Sequence, residues 1–215
     1  VSEPYDPPQL PLEILYRDDH LLAVCKPAGL LSVPGKAAEL ADCLLSRLLQ
    51  ADPATLLVHR LDRDTSGVMI FARSRMAQRH LGLQFERRHA SKGYVARVWG
   101  EPLADSGTID LPLAADWPNR PRQMVDLTRG RRALTRWRLL EREGGTARLA
   151  LMPETGRSHQ LRVHMAEIGH PILGDPIYAE GAAGLAARLM LHAERLTLRH
   201  PVGGAGIEFV ARCPF

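Results

Sequence analysis

A polar segment, His59-Arg60-Leu61-Asp62-Arg63-Asp64-Thr65-Ser66-Gly67, is bracketed by the apolar, strand-like runs Leu56-Leu57-Val58 and Val68-Met69-Ile70-Phe71. This arrangement constrains the chain more than any other. Cations, acids, hydroxyls and a glycine must be carried on a loop between two segments that bury themselves. A carboxylate beside arginine has its charged form favoured and can act as a nucleophile or base. Asp62 and Asp64 both meet that description, and local chemistry does not separate them. The plainer alternative is a loop carboxylate paired with Arg60 or Arg63, which contributes little when exposed.

The rest of the chain reads as short strands, frequent hairpins and irregularly placed helices. Residues 12–16 and 20–25 are apolar runs around Arg17-Asp18-Asp19, a hairpin pattern. Residues 38–50 carry apolar side chains at helical spacing. Ser74 caps a helix with Ala77, Leu81 and Phe85 in register. Lys92 to Gly100 alternates, with Tyr94, Ala96 and Val98 on one face. Residues 133–141 and 146–152 are strands joined across Gly144-Gly145. Ser158 is expected to cap a helix with Leu161, His164, Met165 and Ile168 inward and Gly169 as its stop. Residues 189–198 and 207–212 are further strands. The expectation is an α+β fold, a single domain with a mixed, mostly antiparallel central sheet and flanking helices and loops. Residues 1–11 are expected to form an extended Pro-rich arm and residues 12–215 the catalytic domain. No signal peptide and no membrane span is read, so the cytoplasm is the default compartment and a monomer the default state.

Charge points to a polyanion. The net charge is only +4, yet seven arginines stand against a single acid between Arg120 and Arg138. Arginine's planar fork suits phosphate, so RNA or DNA is the expected partner. Cys25, Cys43 and Cys213 are too few and too scattered for a disulfide framework or a zinc cluster. His59 to Asp62 does not follow the kinase order His-Arg-Asp, and no Asp-Phe-Gly or Walker loop is present. His159 and His164 do not share a helix face as paired metal ligands do. No metal is expected. His164 reads as a hydrogen-bonded core histidine, and Tyr94 by itself as a core tyrosine.

A second dense cluster is Thr155-Gly156-Arg157-Ser158-His159-Gln160-Leu161-Arg162-Val163-His164. Its arginines are either solvated around a helix cap or aimed at a phosphate or at Asp62.

Taken together, these motifs resemble the RluA family of RNA pseudouridine synthases. His-Arg-Leu-Asp-x-x-Thr-Ser-Gly at 59–67 matches the family's catalytic motif. Tyr16-Arg17-Asp18-Asp19-His20 and Lys26-Pro27-Ala28-Gly29-Leu30 match its first motif, with Cys25 where the family usually has Asn. Lys92-x-Tyr94-x-Ala96-x-Val98-x-Gly100 matches the tyrosine strand. Residues 155–164 and Gly169-His170-Pro171-Ile172-x-Gly174-Asp175-x-x-Tyr178 match the third block. The resemblance runs from about residue 12 to the C-terminus and leaves no room for an N-terminal S4-like domain. Segments such as Asp116-Trp117-Pro118-Asn119-Arg120-Pro121 resemble the compact RluA branch. That branch modifies a uridine of the tRNA anticodon stem-loop (position 32) and one of a 23S ribosomal RNA stem-loop (position 746).

The resemblance implies a pseudouridine synthase fold and an isomerisation of uridine with no cofactor or metal. The N1–C1′ bond breaks and the uracil rejoins through C5, so the base is flipped from its stack. By the resemblance Asp62 is the catalytic aspartate and Asp64 falls on a variable position. Asp62 acts either as a nucleophile or as a base that drives glycal formation. Arg162 resembles the arginine that pairs with the aspartate, and Tyr94 the tyrosine that stacks on the base. Arg60 would contact a phosphate or fill the gap left by the base. His59, Thr65, Arg157 and Leu161 join it as expected substrate-binding residues. The arginines from 120 to 138 would hold the RNA backbone.

Overall fold

Apolar and polar residues alternate with period two over much of the chain, and such segments become strands when one face is buried. In a computed structural model that describes residues 5–215, they run in chain order as β1 (Glu13–Arg17), β2 (Leu21–Lys26), α1 (Leu44–Ala51), β3 (Leu56–Leu57), β4 (Ser66–Ala72), α2 (Arg75–Glu86) and β5 (Ser91–Trp99). There follow β6 (Ser106–Asp110), β7 (Leu113–Ala115), β8 (Gln123–Val125), β9 (Leu134–Arg142), β10 (Thr146–Pro153), α3 (Gln160–Glu167), β11 (Leu191–Arg199) and β12 (Gly206–Val210). The fold is α+β with mostly antiparallel strands, as expected. Its contacts divide it into two compact units, one containing residues up to Ser91 together with Ala193–Pro214, the other Lys92–His192 with Phe215.

In the first unit β2 pairs antiparallel with β1 and with β4, β3 pairs with β4, and β11 with β12. Every residue of β4 is buried, which is why its apolar run does not alternate. α2 lays Ala77 and Leu81 on a core made by Leu21, Ala23, Val68, Ile70, Leu196 and Phe209. Ser74 caps it by accepting from the Ala77 amide at 3.2 Å. The helix expected over residues 38–50 is interrupted. A single 3-10 turn spans Ala38–Leu40, and α1 starts only after Cys43, whose thiol and Ser46 form a reciprocal cap. Tyr5, in the expected arm, donates to the Asp42 carbonyl at 2.9 Å, and Arg47 donates to the Pro8 carbonyl at 2.8 Å. Residues 1–4 of that arm lie outside the described residues.

In the second unit β10 is flanked antiparallel by β5 and β9, β9 pairs with β6, and β7–β8 form a separate hairpin. Gly144 and Gly145 turn the β9–β10 hairpin at positive φ, as their pairing suggested. α3 packs Leu161 and Met165 on Ala96, Val98, Leu149 and Leu151, with Tyr94 against the same cluster. Its opposite side places Val163 with Leu113, Ala133 and Tyr178. The helix is therefore buried all round from Gln160 to Met165. Two details differ from the sequence expectation. Ser158 is not the cap: His159 is, in a left-handed conformation (φ 52°) with no side-chain capping bond. And Gln160 and Arg162 are buried along with the expected apolar face, because each finds partners inside.

Candidate active site

The loop between β3 and β4 carries His59, Arg60, Asp62 and Thr65 together. It is fastened at three points. His59 accepts the Ile70 amide on Nε2 at 3.0 Å and stacks on Phe85 of α2 at 4.5 Å. Accepting on Nε2 leaves that nitrogen unprotonated. Ser32, buried, donates to the Leu61 carbonyl at 2.6 Å and accepts the Leu61 amide at 3.1 Å. Lys26, fully buried, donates to the carbonyls of Pro27 (2.8 Å), Leu30 (2.7 Å) and Arg63 (2.7 Å). A buried ammonium without three such acceptors would be costly. Asp62, half-buried, thus has a pinned residue on each side.

Beyond Asp62 the loop turns, with the Thr65 amide donating to the Asp62 carbonyl at 3.3 Å. Thr65 is buried. Asp64 is taken by Arg63 through bonds of 2.8 and 3.1 Å. Arg60 is exposed and makes no side-chain hydrogen bond or ion pair among the described residues. Gly67 closes the loop at φ 114°, where an added Cβ would lie 2.2 Å from the Ala193 carbonyl oxygen. The motif's glycine is therefore a requirement of backbone packing.

The second unit holds Tyr94, Arg157, Leu161 and Arg162. Tyr94 sits on β5, half-buried, opposite Leu151. Leu161 is a core residue at 6% exposure. Arg162 is buried and makes a bidentate pair with Asp175, Nε to Oδ2 and Nη2 to Oδ1, both at 2.7 Å. Sequence reading quoted Asp175 within a motif but assigned it no role. Lys26 likewise stands in a quoted motif without a role, and Ser32 was not singled out. Arg157 takes a separate path: its Nε donates to the Arg132 carbonyl at 3.1 Å, and it lines a cleft of about 350 Å³ with Leu113, Gln123, Arg129, Arg131 and Ser158.

Of the seven arginines from 120 to 138, only Arg129, Arg132 and Arg136 pair with carboxylates among the described residues. Arg120 lies 3.2 Å over the exposed ring of Trp117 at the hairpin tip. Gln160 ties α3 to β9 through the Leu134 carbonyl (3.0 Å) and the Thr135 hydroxyl (3.1 Å). His164 is held by Thr135 Oγ1 and the Leu111 carbonyl, as the hydrogen-bonded core histidine expected, and burial pushes its pKa down. Among the described residues no three His, Cys, Asp or Glu side chains converge as a metal site. No helix of the described chain is long and apolar enough to cross a membrane.

The family described as RNA pseudouridylate synthase matches residues 20–167. The chain is 51% identical over 216 residues to the dual-specificity RNA pseudouridine synthase RluA of Escherichia coli K12, covering 99% of both chains. It is 48% identical over 204 residues to the same-named protein of Yersinia pestis, covering 94% of this chain and 99% of that one. Among solved structures it is similar to human RNA pseudouridylate synthase domain containing 1, with a TM-score of 0.80, 28% identity, and coverage of 95% of this chain and 84% of that one.

Proposed function

Because the chain belongs to the RNA pseudouridylate synthase family and is an isomerase, we propose that it converts uridine to pseudouridine in two stem-loop RNAs, with Asp62 as the reacting carboxylate. The substrates are the tRNA anticodon stem-loop at position 32 and 23S ribosomal RNA at position 746, which puts its work in the cytoplasm. The dual-specificity relatives support two substrates. One observation carries the choice of aspartate. Asp62 lies between residues pinned by Ser32 and Lys26, whereas the Asp64 carboxylate is engaged by an exposed arginine on the loop.

In the reaction the N1–C1′ bond breaks, the uracil turns within its pocket, and C5 bonds to C1′. The C5 proton leaves to solvent and N1, freed from C1′, takes up a proton. Atoms and electrons balance without a cofactor or metal. Tyr94 takes the stacking role and Arg162 the electrostatic one. Arg60 and Arg157 offer cations to the RNA. His59, Thr65 and Leu161 act from inside, stacked or buried, by holding the substrate-facing loop and helix in place. Exposed arginines of residues 120–138 bind the backbone, and loop RNA is the natural target of such shape reading. The protein acts as a monomer.

Transcripts labelled with tritium at uridine C5 test the assignment. Incubated in EDTA, the protein should release tritium. Asp62→Asn should abolish release, whereas Asp64→Asn should retain it. Activity kept in Asp62→Asn and lost in Asp64→Asn would exchange the two roles. Strand cleavage that depends on magnesium would replace the synthase reading with that of a hydrolase.

A further inference from the structure

Asp175 lies outside every role so far given, yet it is the most heavily engaged carboxylate of the second unit. Its side chain is fully buried. It takes both N–H groups of one edge of Arg162, and Oδ1 also accepts the amides of Ile177 (2.9 Å) and Tyr178 (3.1 Å). The segment that carries it is rigidly seated. Ile172 bridges to Val98, and the Leu173 amide donates to the Arg97 carbonyl at 2.9 Å. Gly174 turns at φ 68°, where an added Cβ would lie 2.0 Å from the Arg188 carbonyl oxygen.

Tyr178 completes the arrangement. Its ring has the Arg162 guanidinium carbon 5.1 Å from its centroid and that of Arg122 at 5.0 Å. Its hydroxyl accepts the Gln123 amide at 2.8 Å and meets His159 Nδ1 at 2.7 Å. Arg122 in turn donates to the Ile177 carbonyl at 2.6 Å. A bidentate carboxylate fixes the plane and rotation of a guanidinium, and a ring face adds a second constraint. It also cancels the guanidinium's charge, which Arg122 restores locally.

We infer that Asp175 and Tyr178 are positioning residues that hold Arg162 in its working orientation, with Arg122 keeping the cluster net positive. Neither touches the reacting atoms. The inference rests on the electrostatic role proposed for Arg162. It extends that role by naming what presets the arginine, since supporting residues decide whether a charged group is aimed within the tolerance that catalysis needs.

A double-mutant cycle tests it. Single-turnover rates at saturating RNA and RNA dissociation constants are measured for Asp175→Asn, Tyr178→Phe, Arg162→Lys and the double variant Asp175→Asn/Arg162→Lys. Asp175→Asn should slow the chemical step about 100-fold, while RNA affinity changes less than about 3-fold. Lysine cannot use the bidentate geometry, so in the Arg162→Lys background Asp175→Asn should cost less than about 3-fold. An equal factor in both backgrounds would overturn positioning, and so would a loss confined to affinity. A wild-type rate in Arg162→Lys would remove the electrostatic assignment itself, a separate result. Should Asp175→Asn fail to fold, Tyr178→Phe decides. It keeps the ring but removes the hydroxyl bonds to the Gln123 amide and His159 that seat the ring against Arg162, and should melt within a few degrees of wild type, with a rate lowered about 3- to 10-fold. An unchanged rate would overturn the inference.

Discussion

Lys26 ties the loop that carries Asp62 to the segment after β2, because one ammonium satisfies three carbonyls, from Pro27, Leu30 and Arg63. Lys26→Met keeps the stem but leaves those acceptors unpaired. It should cost about 2–4 kcal/mol in urea unfolding and reduce tritium release by more than the loss of folded protein explains. Equal losses in both readouts would mean that Lys26 serves stability alone. None of this was legible in the sequence. Lys26-Pro27 reads locally as the end of a strand, and its decisive partner lies 37 residues away. Ser32 hides for the same reason, its partner being 29 residues away. Asp62 stood out because its polarity contradicts its apolar flanks, but choosing it over Asp64 required distant motifs.

At the scale of elements, the β7–β8 hairpin and the turn after it gather Arg129, Arg131 and Arg157 around one cleft. Arg131 has no carboxylate partner among the described residues, so its charge is available to a polyanion. Each phosphate neutralised releases counterions. Arg131→Gln should therefore weaken RNA binding and flatten the slope of log affinity against log salt by a little under about 1, measured by filter binding across a salt series. An unchanged slope would place the backbone elsewhere. Long alternating strands such as β5, β9 and β10 were readable from their period, and α2 from its cap. The strands β7 and β8, three residues each, are too short to carry a period. The start of α3 misled because a serine at a plausible cap was outweighed by tertiary bonds to Gln160.

For the molecule as a whole, one cluster of the first unit couples stability to pH from both sides of neutrality. Burial alone would push the Asp18 carboxyl up. The amides of His20 and Leu21, the Tyr16 hydroxyl and His200 instead hold it at about 2, against an ordinary 3.8. His200 is raised from 6.5, first by its bond to the Val202 carbonyl and then by Asp18. A lowered carboxylate stabilises above its ordinary pKa and loses that contribution as pH falls through the folded value. A raised histidine stabilises below its ordinary pKa and loses its contribution as pH rises through the folded value. The two overlap between roughly pH 4 and 6.5. The melting-temperature gap between wild type and Asp18→Asn should be widest there and close at stronger acid. A gap that is flat with pH would show that the cluster is not coupled to folding.

α3 is buried on every side from Gln160 to Met165, with Gln160 and His164 bonded to β9. A helix enclosed in this way has no partial opening that exposes it to solvent by itself. Its amide deuterons should wash in only when the surrounding strands separate, at the same slow rate as the middle of β10 and far behind the exposed tip around Trp117.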